Sequence, residues 1–247
     1  MCRYLSALVI AGFIGAPSAG HAADLPARMP TKAPMVMPPY NWTGFYVGLN
    51  AGGSWGHQDN TLVTITGVNL LSNSDRIDGF IGGGQIGYNW QSGQWVFGVE
   101  ADIQGSAQKG DGTFTLPPIV GALVVPGLSA TYSDKLEWFG TARARVGWAF
   151  DRWMPYVTGG WAFGHGKIEG TAISATTVAF NGGHDYSGWT VGGGVEWAFL
   201  NNWSAKVEYL YIDFGDGPTV AVSPALNIVS GRMTDNVVRA GLNYKFF

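Results

Sequence analysis

After Trp42 the chain holds eight runs that alternate, residue by residue, between apolar side chains and small or polar ones. A period of two is the spacing of a β-strand, whose side chains point to opposite faces in turn. The first run sets Phe45, Val47, Leu49, Ala51 and Trp55 against Tyr46, Gly48, Asn50, Gly52 and Ser54. Another sets Trp95, Phe97, Val99, Ala101 and Ile103 against Gln94, Gly98, Glu100, Asp102 and Gln104. A third places Leu136, Trp138, Ala142, Ala144, Val146 and Trp148 opposite Lys135, Glu137, Thr141, Arg143 and Arg145. Five further runs cover residues 79–90, 156–163, 188–199, 203–211 and 237–246. One face is apolar throughout and the other carries the charges.

Alternation alone fits both a soluble sandwich, apolar inside, and a membrane barrel, apolar outside. The connections and the aromatics decide between them. Gln91-Ser92-Gly93, Asp151-Arg152 and Leu200-Asn201-Asn202 form tight turns. Between them the connections are long, at about residues 56–78, 105–134, 165–185 and 215–235. Short turns on one side and long loops on the other are the outer-membrane pattern. Trp90 and Trp95 bracket the first tight turn, Trp148 and Trp153 the second, and Trp197 and Trp203 the third. Trp42 and Phe45 open the first run, and Tyr244 and Phe246 close the last. Side chains of this kind at one height form an aromatic belt at a membrane interface, here the periplasmic one. A soluble sandwich has no reason to gather tryptophans beside its solvated hairpins. The expected fold is therefore all-β, an eight-stranded antiparallel transmembrane β-barrel over residues 42–247, with both termini periplasmic.

The N-terminus has its own logic. Arg3, the apolar stretch Leu5 to Ala16, and Gly20-His21-Ala22 spell a secretory signal over residues 1–22, cleaved before Ala23. Cys2 leaves with it, so the mature chain has no thiol for a disulfide, a thiolate metal site or a nucleophile. Residues 23–41 carry Pro26, Pro30, Pro34, Pro38 and Pro39, a spacing that denies helix and sheet and reads as an extended periplasmic linker. A net charge of −3 gives no basic footprint, so nucleic acid is not an expected partner. Gly82-x-Gly84-x-x-Gly87 matches a dinucleotide fingerprint in letters only, because it lies inside an alternating strand and no helix follows.

Several segments together resemble the small outer-membrane β-barrel family of alphaproteobacteria known as outer-membrane immunogenic proteins. They are Ala23-Asp24-Leu25-Pro26, Trp42-Thr43-Gly44-Phe45-Tyr46-Val47-Gly48, Gly87-Tyr88-Asn89-Trp90-Gln91, Val99-Glu100-Ala101-Asp102, Trp203-Ser204-Ala205-Lys206-Val207-Glu208-Tyr209 and Gly241-Leu242-Asn243-Tyr244-Lys245-Phe246. The resemblance implies an OmpA-type barrel without a peptidoglycan-binding domain. Its setting would be outer-membrane lipid and lipopolysaccharide, and its assembly would use the barrel-assembly machinery. The family's usual final residue matches Phe246, which makes Phe247 an addition.

Charges on the inward face are Glu100, Asp102, Lys135, Glu137, Arg143, Arg145, Glu196, Lys206, Glu208, Arg239 and Lys245. The interior of an eight-stranded barrel is only just wide enough for side chains. Opposite charges there should pair, since a lone buried charge costs several kcal/mol. The expectation is an ionic network plugging a structural barrel that supports envelope integrity and displays four external loops to host surfaces, phage or immune factors. The alternative is a narrow porin for small hydrophilic solutes. A further alternative, suggested by relatives, is hemin binding at external loops through His57, His165 and His184, although their spacing marks no closed metal site. No cofactor and no catalytic constellation are expected.

Overall fold

The computed structural model describes residues 39–116, 127–173, 177–223 and 226–246. The expected signal segment, most of the linker and Phe247 lie outside the described residues.

Nine strands form one antiparallel sheet: β1 (Gly44–Thr64), β2 (Asn69–Ser92), β3 (Trp95–Leu116), β4 (Leu128–Trp148), β5 (Trp153–Ile173), β6 (Thr177–Ala198), β7 (Trp203–Asp216), β8 (Thr219–Ser223) and β9 (Leu226–Lys245). Consecutive strands pair from β1 to β7, β7 pairs with β9, and β9 pairs back to β1 from Tyr46↔Lys245 to Thr64↔Leu226. The sheet thus closes into a ring through β1–β7 and β9, while at its far end residues 177–188 of β6 and strand β8 each pair on one side only. The eight expected runs fall in β1–β7 and β9. The unexpected ninth strand, β8, pairs with β9 at Leu226–Val229, beyond the place where β7 stops opposite Arg232.

The tight turns fall where expected. Gly93 adopts φ 62° in the first, a left-handed conformation that glycine enters without steric cost. The long connections differ from expectation. Residues 56–78, for example, are mostly strand, with β1 and β2 paired up to Val63↔Asn69. The reason is that the alternation inverts. On β5, apolar Ile168 and Ala172 are buried while Lys167 and Glu169 are exposed. This is the pattern of a wall standing in water around an apolar filling.

Below that inversion the outside is apolar. Trp90, Trp95, Trp153, Trp197, Trp203 and Phe246 are exposed near the turn end, with Trp148 and Tyr244 half-buried beside them. Trp95 meets Trp148 edge-on at 4.6 Å, Trp153 stacks on Trp197 at 5.5 Å, and Trp203 meets Tyr244 at 5.2 Å. Trp42 departs from the expected belt. It is buried within Val96, Ala149, Met154, Tyr156 and Ala198, and its indole N–H donates to the Asp151 carbonyl (3.1 Å). The chain enters from beneath the ring before β1 starts, so Trp42 closes the interior. Tyr40, read as linker, packs edge-on against it at 4.8 Å.

A second exposed aromatic row, not anticipated from the sequence, contains Trp55, Trp138, Trp161 and Trp189. It stands ten residues from the first row on β1 and β4, and eight on β5 and β6. At about 3.3 Å per residue and a tilt of about 40°, the rows are about 20–25 Å apart.

The interior is layered. Above the Trp42 layer lies the charged layer described below. Next comes an apolar layer including Ile77, Leu136, Phe139, Leu210 and Phe214. Leu62, Phe114, Tyr132, Ile168 and Ile228 fill the far end.

Candidate functional site

The charged layer is built by inward positions of β3, β4, β6, β7 and β9. Eight of the eleven expected side chains meet there: Glu100, Asp102, Arg143, Arg145, Glu196, Lys206, Glu208 and Arg239, all buried. Arg143 binds Glu208 and Asp102, each at 3.0 Å, and also Glu100. Arg239 binds Glu208 at 2.7 Å and Asp102 at 3.0 Å. Lys206 donates to both Glu100 oxygens at 2.9 and 3.0 Å. Arg145 binds Glu196 at 2.9 Å and lies between the Tyr46 and Tyr156 rings, 5.1 and 5.0 Å from their centroids. Four carboxylates face four cations, so the layer is neutral.

Uncharged groups complete it. Tyr46 donates to Glu100 at 2.6 Å, Tyr156 to Glu208 at 3.0 Å, Thr141 to Asp102 at 2.7 Å, and Ser204 and Asn243 to Glu196. Sequence reasoning missed Tyr46 and Tyr156 as members, although their place on the inward phase was legible. Gly87 makes room for one of them: a Cβ there would lie 2.3 Å from the Tyr46 hydroxyl.

Three expected members stand elsewhere. Lys135 and Glu137 point outward, because the β4–β5 register shifts between Leu136 and Trp138. A β-bulge inserts one residue and reverses the facing of everything beyond it, so Leu136, Asp134 and Tyr132 turn inward instead. Lys245 sits at the turn-end rim, donating to the Asn41 carbonyl with its ammonium 4.3 Å from the Tyr40 ring centroid.

The histidines do not converge. His57 is exposed on β1, and His165 points outward with Nδ1 2.7 Å from Asp185. His184, on the opposite phase of β6, packs edge-on against Tyr186 at 5.1 Å. Among the described residues no group of three or more His, Cys, Asp or Glu side chains is arranged for a metal.

A second polar cluster lies beyond the upper aromatic row. The Asn60 amide donates to Asp75 at 3.1 Å and to Asp134 at 3.2 Å, and Tyr132 donates to Asp75. Burial pushes the Asp134 carboxyl up to about 6; the Asn60 hydrogen bond opposes this, and the charges of Asp75 and Asp111 add to it. A carboxyl raised above its unfolded value holds its proton more tightly in the folded state. Its contribution to stability is therefore full below about pH 4 and is lost as pH rises through about 6. The thermal midpoint is expected to fall between about pH 4.5 and 7, as a contribution of at most about 3 kcal/mol to stability is lost. Asp134→Asn should flatten that slope in a calorimetric pH series.

A closed antiparallel ring, apolar outside between two aromatic rows and charge-paired inside, inverts a soluble barrel and defines the class of outer-membrane β-barrel proteins. The chain belongs to the outer membrane protein beta-barrel domain family, whose profile matches residues 14–246. It is 38% identical over 234 residues to the 31 kDa outer-membrane immunogenic protein of Brucella melitensis biotype 1, covering 88% of each chain. It is 29% identical over 253 residues to the 25 kDa outer-membrane immunogenic protein of Brucella abortus biovar 1, covering 99% of this chain and 100% of the relative. The 22 kDa outer membrane protein of Rhizobium leguminosarum bv. viciae is 31% identical, with 85% of this chain and 81% of the relative covered. Among solved structures, it is similar to OprG of Pseudomonas aeruginosa (TM-score 0.47, 9% identity, 84% and 99% covered) and to Neisserial surface protein A (TM-score 0.39, 15% identity, 83% and 98% covered). The resemblance read from the sequence is thus borne out. The protein is a structural β-barrel component of the outer membrane.

Proposed function

We propose that the ring is an eight-stranded transmembrane barrel, with β8 an outer extension of the β7 edge, and that it acts as a plugged structural element of the outer membrane. In this reading residues 1–22 are a cleaved signal and residues 23–41 a periplasmic linker. The turn end faces the periplasm and the far-end hairpins are displayed to host or phage surfaces. Assembly through the barrel-assembly machinery follows from family membership. The spacing of the aromatic rows supports the membrane placement, because it matches the apolar band of about 25 Å that such barrels present to lipid, and the short turns at one end against tall hairpins at the other support the orientation.

One observation carries the plug. The neutral charged layer is sealed below by Trp42, 2% exposed, and above by Phe139 and Leu210, each 0% exposed. A solute path through an interior this narrow would need a continuous wet lining, and apolar layers interrupt it twice. Refolded protein in a planar bilayer is expected to be silent, once folding is verified by its gel shift on heating. Discrete, reproducible openings would instead establish the narrow porin. Deleting the gene should lower resistance to polymyxin and detergent, and unchanged resistance would remove the envelope-integrity role.

A further inference from the structure

Most cations of the described residues are accounted for. Four are in the charged layer, Arg152 and Lys245 are at the turn end, and Arg232 pairs with Asp213 at 2.9 Å. The other four, Arg76, Lys109, Lys135 and Lys167, lie on consecutive strands β2, β3, β4 and β5, all on the outward phase. Lys109 is the direct cross-strand partner of Lys135, and Lys135 of Lys167. Like charges directly opposite one another destabilise a sheet, a cost that the neighbouring Glu137, Glu169 and Asp78 offset in part.

The bulge makes the row. Without the register shift between Leu136 and Trp138, Lys135 would face the interior. Bulges commonly re-aim a functional side chain. Lys135 stands just above Trp138, past the bulged Glu137, and Lys167 lies two outward positions above Phe163, whose ring is 6.2 Å from that of Trp138. Glu169 and Glu137 hold Lys135 and Lys167 at 3.1 and 2.8 Å. These half-exposed pairs are weak and open to exchange. Asp78 is the cross-strand partner of Lys109, and Asp111 is the next outward residue of β3. The outward face of β2–β5 thus carries four cations against four carboxylates, with only the lysines forming a row of like charge in direct cross-strand register, and the outward Asp59, Asp185 and Asp216 stand apart on β1, β6 and β7.

We propose that the outward face of β2–β5 just above Trp138 docks the phosphate-bearing headgroup of lipopolysaccharide, with Lys109, Lys135 and Lys167 as phosphate ligands and Arg76 at the edge. The occupant follows from the continuous row of cations and from its continuity with the aromatic row, which sets the lysines at headgroup height. The proposal rests on the far end being the cell-surface end.

The test uses the refolded mature protein in detergent. It compares binding of lipopolysaccharide, the same glycolipid stripped of phosphate, and inorganic phosphate alone. The triple variant Lys109→Gln/Lys135→Gln/Lys167→Gln should bind intact lipopolysaccharide about a hundredfold more weakly, with its heat-dependent gel shift retained. The wild type should lose a similar factor on the stripped glycolipid. Glu137→Gln/Glu169→Gln should bind at least as well as wild type, which separates lost ligands from general disturbance of the wall. Equal binding by the triple variant, or by the stripped glycolipid, overturns the proposal. Competition by inorganic phosphate at matching concentration overturns it too, because it reduces the site to one for small anions. Labelling of Thr131→Cys on intact cells by an impermeant maleimide checks the orientation separately: no labelling rejects the orientation, whereas labelling with unchanged binding by the triple variant rejects the docking.

Discussion

Arg239→Met is expected to destabilise the refolded barrel by about 3–5 kcal/mol, measured by urea unfolding in lipid vesicles. Arg239 is 1% exposed and joins Asp102 to Glu208 through four hydrogen bonds or ion contacts of 2.7–3.2 Å. Methionine roughly fills the volume but leaves the layer one negative charge in excess, shut off from bulk solvent by the buried Trp42 and Phe139. The penalty comes from the stranded carboxylate more than from the missing attraction. The double variant Arg239→Met/Asp102→Asn restores neutrality, three carboxylates against three cations, and should recover a large part of the loss. If the double variant is as unstable as the sum of the singles, the layer is not held by charge balance. Neither variant should conduct ions, since the Trp42 layer and the Phe139 layer remain.

That layer is legible in the sequence because its residues sit on a single phase. Glu100 and Asp102, Arg143 and Arg145, and Lys206 and Glu208 are pairs two residues apart, and period two places each pair on one face. Lys135 and Glu137 have the same spacing, yet they face outward for a physical reason. A bulge changes phase by one residue and leaves no mark in composition. The tall far-end wall escapes a search for apolar residues facing lipid, because there the outside is water. Lys167, Ile168 and Glu169 alternate as clearly as Ala101, Asp102 and Ile103 do, but the polarity is reversed: Ile168 and Asp102 are both buried, and their neighbours face outward. Trp42 escapes for another reason, since an aromatic next to a strand start reads the same whether it faces lipid or folds under the ring.

Val99→Arg carries the second large effect. Val99 is 61% exposed on the outward face of β3, paired with Tyr88 and Ala144, four residues from Trp95 in the lower aromatic row. In water, an arginine at so exposed a site would cost almost nothing. In the hydrocarbon midplane it should cost about 2–4 kcal/mol, because the guanidinium must be desolvated or must drag water and headgroups inward. Ser74→Arg provides the control: Ser74 is also exposed and outward, on β2, but above the upper aromatic row. Its expected cost is within about 0.5 kcal/mol. The two variants share chemistry, strand geometry and exposure, so the difference between them isolates the solvent on the outside of the wall. Unfolding both in vesicles should separate them by at least about 2 kcal/mol. Equal costs would mean that the face bearing Val99 does not meet lipid, and the transmembrane assignment of the ring would fall with it.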